Sequence, residues 1–202
     1  MESSFPDMDA FKLDRSPQDR VKLITLLSIF ALRLPNMKKS DIIYFFERPE
    51  EIPLKALDQV RILIGGGSGV GTSWVKENLR DAFLIGYAVH EGVVIGTSTH
   101  KYPKEAYRKK IEKATGLDLA GYLERGYTAV KAEYRDLGIG GRLIRGLIEK
   151  SESKKVYVTI RMDNIPPLKM TYKEGMVLAG KFINERTGHE LGVFANVMPP
   201  RK

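Results

Sequence analysis

The feature that most constrains the fold is a glycine-rich turn placed directly between a strand and a helix. An apolar strand pattern runs to about Val130, glycines follow at Gly138, Gly140 and Gly141, and an amphipathic helix begins at once. The first turn of a helix leaves backbone N–H groups without partners, and the helix dipole adds partial positive charge there. Glycines let the chain approach an anion closely, so this pattern is typical of a phosphate or pyrophosphate site.

Two nucleotide-binding motifs use the same physics and are excluded by single residues. The dinucleotide fingerprint G-x-G-x-x-G needs a glycine where Leu143 stands. A second glycine-rich segment, residues 66–73, has Thr72 in the place of the lysine that a P-loop needs to reach the β- and γ-phosphates. We therefore interpret residues 66–73 as a connection between two helices.

A third phosphate-binding pattern fits the turn. Arg135-x-x-Gly138-x-Gly140 resembles the pyrophosphate-binding motif of the GNAT superfamily of N-acetyltransferases. Residues 162–176 are similar to a second element of that family, with Asn164 at the end of a strand and Gly175 closing a helix. The resemblance extends over residues 40–198 and leaves the first 38 residues unexplained.

Hydrophobic periodicity predicts a chain of the α/β (α+β) class. We predict strands at 42–46, 83–90, 93–100, 127–134, 156–162, 176–184 and 191–198, and helices at 54–64, 72–81, 103–114, 140–150 and 166–174. The resemblance implies the GNAT fold, a mixed, mostly antiparallel twisted sheet of about six or seven strands that is splayed at its central strands and flanked by helices.

We predict two units along the chain. Residues 1–38 form an N-terminal extension with one apolar helix, and residues 39–202 form the GNAT acetyltransferase domain. Three roles stay open for that helix: it covers a hydrophobic face, it swaps between protomers of a homodimer, or it caps the acceptor site. The oligomeric state is left open.

Composition narrows the classes of function. The chain has no cysteine and only three histidines, none of them spaced i, i+4, so we expect no disulfide, no thiol nucleophile and no metal site. The most hydrophobic stretch, residues 23–32, is too short for a bilayer span, which needs about 20 residues. No cleavage site follows this run, so we expect no signal peptide, no membrane partner and a cytoplasmic location.

The net charge of +8 attracts anions of many kinds. The densest basic cluster lies between Lys101 and Lys113, with little aromatic interleaving. A solvated helix face is the favoured interpretation of this cluster, and nucleic acid stays a possible but not favoured partner.

The resemblance implies acetyl-CoA, or another acyl-CoA, as co-substrate. The pantetheine arm would lie in the wedge of the splayed sheet against the backbone of Val130 and Ala132, and the pyrophosphate would accept N–H groups from residues 137–142. Asn164 would lie near the pantetheine or the adenine. The predicted cofactor-binding residues are Val130, Lys131, Ala132, Arg135, Asp136, Leu137, Gly138, Ile139, Gly140, Gly141, Arg142 and Asn164.

The resemblance also implies direct attack of a primary amine on the thioester in a ternary complex. Because an amine is mostly protonated at neutral pH, a base must take a proton. Glu124, six residues before Val130, is the candidate base, and a surface carboxylate paired with Arg125 or a lysine is the alternative. His100 is a further candidate base, although a histidine satisfied within its strand is favoured.

The general acid is where this sequence departs from the family. Many members carry a tyrosine seven residues after the asparagine, but here that position is Thr171 and the tyrosine is Tyr172. One residue along a helix rotates a side chain by about 100°. We name Tyr172 as the candidate acid, with Thr171 or water as alternatives.

The resemblance implies a small-molecule or protein amine as the acceptor, and residues 65–73 and 101–125 are the segments expected to select it. Two other functions stay open. One is an acyl-CoA-binding sensor without catalysis, and the other is a GNAT-fold enzyme that modifies tRNA or DNA bases.

Overall fold

The computed structural model describes residues 41–66 and 75–202. These residues form one seven-stranded sheet in the order β1-β2-β3-β4-β5-β7-β6. The strands are β1 Ile43–Glu47, β2 Ala82–His90, β3 Val93–Lys101, β4 Leu123–Val130, β5 Val156–Arg161, β6 Val177–Ile183 and β7 Glu190–Ala195. The helices are α1 Leu54–Gly65, α2 Val75–Arg80, α3 Glu105–Thr115, α4 Ile139–Lys150 and α5 Ile165–Lys173.

The sheet separates at its centre. Every neighbouring pair is antiparallel except β4 and β5, which are parallel and pair only at Leu123↔Val156 and Glu124↔Tyr157. Beyond Glu124, β4 continues to Val130 while paired to β3. The two strands therefore bound a wedge whose apex is at Glu124, and the predicted splay is confirmed.

Helices cover both faces of the sheet. The pair α4 and α5 lies on one face, where Leu143 and Leu147 of α4 are fully buried against β2 and β3. Burial of a leucine side chain stabilises the fold by about 1.5–3 kcal/mol. The backbone approach is close: a Cβ added at Gly96 of β3 would lie 2.8 Å from Cγ2 of Ile139. Helices α1, α2 and α3 lie on the opposite face.

A β-bulge in β4 changes which side chains face which layer. Thr97 of β3 pairs with Ala129 and Thr99 pairs with Gly126, so one residue lies between the two on β3 but two residues lie between them on β4. Tyr127, in this bulge, has a φ angle of +49°. Gly126 and Tyr127 consequently both face the α1–α3 layer, where the Tyr127 hydroxyl bonds the Asn78 side chain. The side chain of Arg125 faces the α4–α5 layer.

The predicted elements are all present, with one misplaced strand. The strand predicted at 127–134 was wrong at both ends, because β4 begins at Leu123 and residues 132–134 form a 3-10 turn. Glu124 and Arg125 are charged, so the hydrophobic pattern did not indicate that the strand begins at Leu123. The predicted extension 1–38, and the predicted helix start near Thr72, lie outside the described residues. No helix in the described ranges has both the length and the apolar character needed to cross a bilayer.

Candidate functional site

A cleft of about 1870 Å³ opens at the wide end of the wedge. Its walls include the end of β4, the glycine turn with the first half of α4, and one side of α5, together with residues of β1, α1 and the start of β3. The structure brings nearly all of the predicted cofactor-binding residues to this cleft, and Leu137 is the exception. The lining includes Val130, Lys131, Ala132, Arg135, Asp136, Gly138, Ile139, Gly140, Gly141, Arg142 and Asn164.

The glycine turn presents the start of α4 to the cleft. Gly138 is the N-cap residue at φ +80°, a left-handed conformation that favours glycine, and it offers no side-chain cap. Helix geometry therefore leaves the first N–H groups of α4 free for an anion. A Cβ at Gly140 would lie 2.9 Å from Sδ of Met170, so this glycine also lets α4 pack directly on α5.

Positive charge surrounds the turn. The exposed Arg135 follows the 3-10 turn, and the guanidinium of Arg142 stacks on the ring of Tyr44, 4.3 Å from its centroid. Arg145, one helical turn further along α4, is held by two hydrogen bonds to Glu174, at 3.0 and 3.1 Å. A helix N-terminus flanked by arginines suits a pyrophosphate.

The backbone near the predicted pantetheine site differs in detail from the prediction. The N–H of Lys131 donates to the carbonyl of Ile95 at 2.9 Å. Ala132 lies beyond the strand, in the 3-10 turn. Of the predicted pair, Val130 alone belongs to β4, so the strand edge that adjoins the cleft consists of Thr128, Ala129 and Val130.

Glu124 lies at the apex of the wedge on the α1–α3 face. It is 9% exposed and pairs with Lys101, with 3.2 Å between Nζ and Oε2. Burial raises the pKa of Glu124, and the Lys101 ammonium opposes that rise. The ion-pair partner is therefore the lysine of β3 and not Arg125, which faces the other layer. A buried carboxylate with a raised pKa is chemically suited to proton transfer.

A second polar group that the sequence pattern did not reveal lies beside Glu124. The hydroxyl of Tyr157, its register partner on β5, is fully buried and has no hydrogen-bond partner among the described residues. Burial, followed by the Glu124 charge, raises the pKa of Tyr157. The sequence signal was one tyrosine between two valines at the start of β5.

Tyr172 is not brought to the wedge. It is 52% exposed and packs edge-on against Phe194 of β7, with 5.2 Å between ring centroids. Its neighbour Thr171 is fully buried and accepts a hydrogen bond from Arg125. The one-residue offset seen in the sequence therefore turns Tyr172 toward β7 and away from β4.

Arg125 and His100 form a buried polar cluster behind the apex; the sequence singled out both residues but did not predict that they are buried together. His100 shares a hydrogen bond of 2.7 Å with Ser151, whose hydroxyl donates to the carbonyl of Leu147. Nδ1 of His100 therefore carries the hydrogen, and Nε2 has no partner among the described residues. Burial and the Arg125 charge lower the pKa of His100 to about 3. The ring is neutral and only half satisfied.

Three basic residues of helix α3 form ion pairs with glutamates. Arg108 bonds Glu112 at 2.6 Å, Lys109 bonds Glu105 at 2.7 Å and Lys110 bonds Glu185 at 2.7 Å. These pairs resemble the solvated helix face favoured from the sequence, and a nucleic-acid partner stays a prediction.

Comparisons with solved structures show the fold. NAA60 of Arabidopsis thaliana, solved with acetyl-CoA, superposes with a TM-score of 0.57 at 15% identity over 76% of this chain and 98% of that chain. A putative acetyltransferase of the GNAT family from Desulfovibrio desulfuricans gives 0.56 at 13% identity over 76% and 97%. The ribosomal-protein-S18-alanine N-acetyltransferase of Escherichia coli gives 0.56 at 11% identity over 79% and 96%.

No protein-family model and no curated protein sequence matches the chain. The likeness is therefore one of structure at low identity. The predicted GNAT fold is confirmed by these neighbours and by the splayed seven-stranded sheet.

Proposed function

We propose that the chain is an acyl-CoA-dependent N-acyltransferase that moves an acetyl group from acetyl-CoA to a primary amine in a ternary complex. One observation carries the proposal: the glycine turn at the head of α4 opens into the same cleft as the free edge of β4. The glycine turn suits a polyphosphate, and the free strand edge suits an extended arm that bears amides. A ligand that joins the two groups would therefore fit this cleft. The solved neighbours, which include a complex with acetyl-CoA, support it.

The residues fit this co-substrate in two zones. The pyrophosphate would accept N–H groups from Leu137, Gly138 and the start of α4, between Arg135 and Arg142. The pantetheine amides would pair with the edge of β4 that ends at Val130. Asn164 begins α5 without using its side chain as a cap, and it lines the cleft beside both zones.

The acyl transfer needs a base and a stabilised oxyanion. The amine nitrogen forms a bond to the thioester carbonyl carbon, and Glu124 accepts a proton from that nitrogen, directly or through water. An N–H on the free edge of β4 donates to the oxyanion, an interaction typically worth about 3–4 kcal/mol in activation free energy. The carbon–sulfur bond then breaks and CoA leaves as the thiolate.

The acceptor is an amine of a small molecule or a protein. A neighbour that acetylates an alanine of ribosomal protein S18 supports a protein N-terminus as one acceptor class. Glu124 and Tyr157 face the α1–α3 layer, so the amine would arrive from that side of the sheet. Helix α3, within the segment 101–125 predicted to select the acceptor, forms part of that layer.

Calorimetry with acetyl-CoA tests the site. We expect the wild type to bind it and Arg135→Glu to weaken binding by at least about tenfold, because a charge-assisted hydrogen bond is worth about 1.5–3 kcal/mol. Arg80→Glu is the matched control, since Arg80 is an exposed arginine on α2 outside the cleft lining. Equal weakening by both variants, or no binding by the wild type, would refute the assigned site.

The reaction is tested by incubating the protein with acetyl-CoA and a panel of amines and measuring the CoA thiol that is released. Release that depends on the amine supports the acyltransferase. Tight binding of acetyl-CoA with no transfer to any amine favours the acyl-CoA sensor instead.

A further inference from the structure

Arg125 closes the apex of the wedge on the α4–α5 face. It is the first residue of β4 beyond the last pair with β5, which is Glu124↔Tyr157. Its guanidinium donates to Oγ1 of Thr171 on α5 and lies 3.1 Å from Sδ of Met176, the residue before β6. The side chain therefore reaches from β4 to the helix that covers the other half of the sheet.

The charge of this arginine is buried and not neutralised. Arg125 is 4% exposed, and no carboxylate oxygen lies within 4.0 Å of its nitrogens among the described residues. The carboxylate of Glu174 acts on it electrostatically, but Glu174 is held by two hydrogen bonds from Arg145. A buried cation without a paired anion is strongly unfavourable unless a ligand supplies the negative charge.

The other members of the cluster add no negative charge. Thr171 and Met176 are neutral, and His100, the register partner of Arg125 on β3, is a neutral imidazole. The apex consequently holds a buried positive charge that Glu174 offsets only from beyond 4.0 Å, in a medium of low dielectric constant, where a charge interacts strongly. It lies at the narrow end of the wedge, opposite the phosphate turn.

The spacing along β4 matches the proposed co-substrate. Five residue steps separate Arg125 from Val130, and at about 3.3 Å a step they span roughly 16 Å, somewhat less across the bulge. This length is comparable with that of an extended pantetheine arm. If the pyrophosphate lies at Gly138–Gly141, an arm extended along β4 would carry the sulfur toward the apex, past Thr128, where the lining of the cleft ends on this strand.

We propose that Arg125 stabilises the CoA thiolate as it leaves, a role that needs no acidic tyrosine on α5. The inference rests on the proposed function. The new carbon–nitrogen bond forms, the carbon–sulfur bond breaks, and its electron pair stays on sulfur beside the guanidinium. The proton lost by the amine goes to Glu124 on the opposite face, so Arg125 transfers no proton. The thiolate takes a proton from solvent after release.

Binding of CoA and of desulfo-CoA across pH 6–10 tests the role without turnover. The two ligands differ only at sulfur. If Arg125 faces the thiolate, the pKa of the bound thiol lies at least about one unit below that of free CoA in the same buffer, so the ratio of the two affinities begins to rise with pH about one unit below the pKa of free CoA. Above the pKa of the free thiol the ratio then reaches at least about tenfold, since one unit of pKa is a factor of ten.

The variants locate the effect. Arg125→Gln is expected to abolish the pH-dependent ratio while binding desulfo-CoA as the wild type does, and Arg125→Lys to restore part of it. Arg80→Gln, an exposed arginine on α2, is expected to keep the full ratio. An unchanged ratio in Arg125→Gln would overturn the proposal.

The wild type alone also tests the idea, in case the glutamine variant does not fold. If it binds both ligands with a ratio that stays flat up to the pKa of free CoA, the thiolate role is wrong and the proposed function stands. If it binds neither ligand, the proposed function itself fails. The two failures are therefore distinguishable.

Discussion

Replacing Glu124 with glutamine removes the carboxylate that we place beside the reacting amine. The loss of a general base typically lowers the rate by about 10²- to 10⁴-fold. The variant also leaves Lys101 without its anion, and both side chains are largely buried, at 15% and 11% exposure. Breaking a fully buried pair costs about 3–5 kcal/mol. The expected loss of unfolding free energy is smaller here, roughly 2 kcal/mol, for two reasons. The Lys101–Glu124 pair is partly exposed to solvent, and the Tyr127 ring, 5.2 Å from the Lys101 ammonium, continues to stabilise that charge.

The pH profile separates catalysis from stability. Only the ionised carboxylate accepts a proton, so kcat/KM of the wild type falls as pH drops through the raised pKa of Glu124. Lys101→Met removes the cation that opposes that rise, so its acid limb is expected at higher pH than that of the wild type. Glu124→Gln has no such limb.

Steady-state acetyl transfer at pH 5–9, with the unfolding midpoint of each variant in urea, gives both quantities. Full activity of Glu124→Gln across that range would refute the assignment of the base. An acid limb that Lys101→Met leaves in place would show that the limb belongs to another group.

Three further outcomes follow from the packing. Tyr172→Phe is expected to keep kcat within about twofold, because the ring packs on Phe194 outside the cleft; a loss of tenfold or more would restore the tyrosine as the acid. Gly96→Val forces a side chain against Ile139 and is expected to lower the free energy of unfolding by about 1–3 kcal/mol, whereas Gly66→Ala changes it little. Tyr157→Phe removes a buried hydroxyl without a partner and is expected to raise that free energy by about 1 kcal/mol; a decrease would mean that the hydroxyl is bonded.

Local sequence signals predicted most of the fold. The turn at Gly138–Gly141 was recognisable because helix termini and left-handed glycines carry chemistry that a few adjacent residues determine. The hairpin at Glu91 and Gly92 is equally local, and β2 and β3 flank it as expected. Strand β4 was misplaced because Glu124 and Arg125 are charged, and their burial depends on β3 and β5 rather than on their neighbours in sequence.

The polar groups at the apex could not be predicted for the same reason. The charge on Arg125 is unpaired because Glu174, far along the chain, is held by Arg145. The hydroxyl of Tyr157 has no hydrogen-bond partner among the described residues, although the register of β4 and β5 places Tyr157 beside Glu124. A bulge at Tyr127 decides which face each side chain of β4 takes. Such facts arise from sheet register, which no local pattern contains.

The most direct test of the central claim uses acetyl-CoA with an isotopically labelled acetyl group and a panel of small amines and peptide N-termini. The proposed function predicts that mass spectrometry finds the label on the nitrogen of one acceptor class, with one free CoA thiol released for each label transferred. Glu124→Gln is expected to bind labelled acetyl-CoA and transfer at least about a hundredfold more slowly. Intact thioester after incubation of bound wild-type protein with every amine would contradict the proposed function.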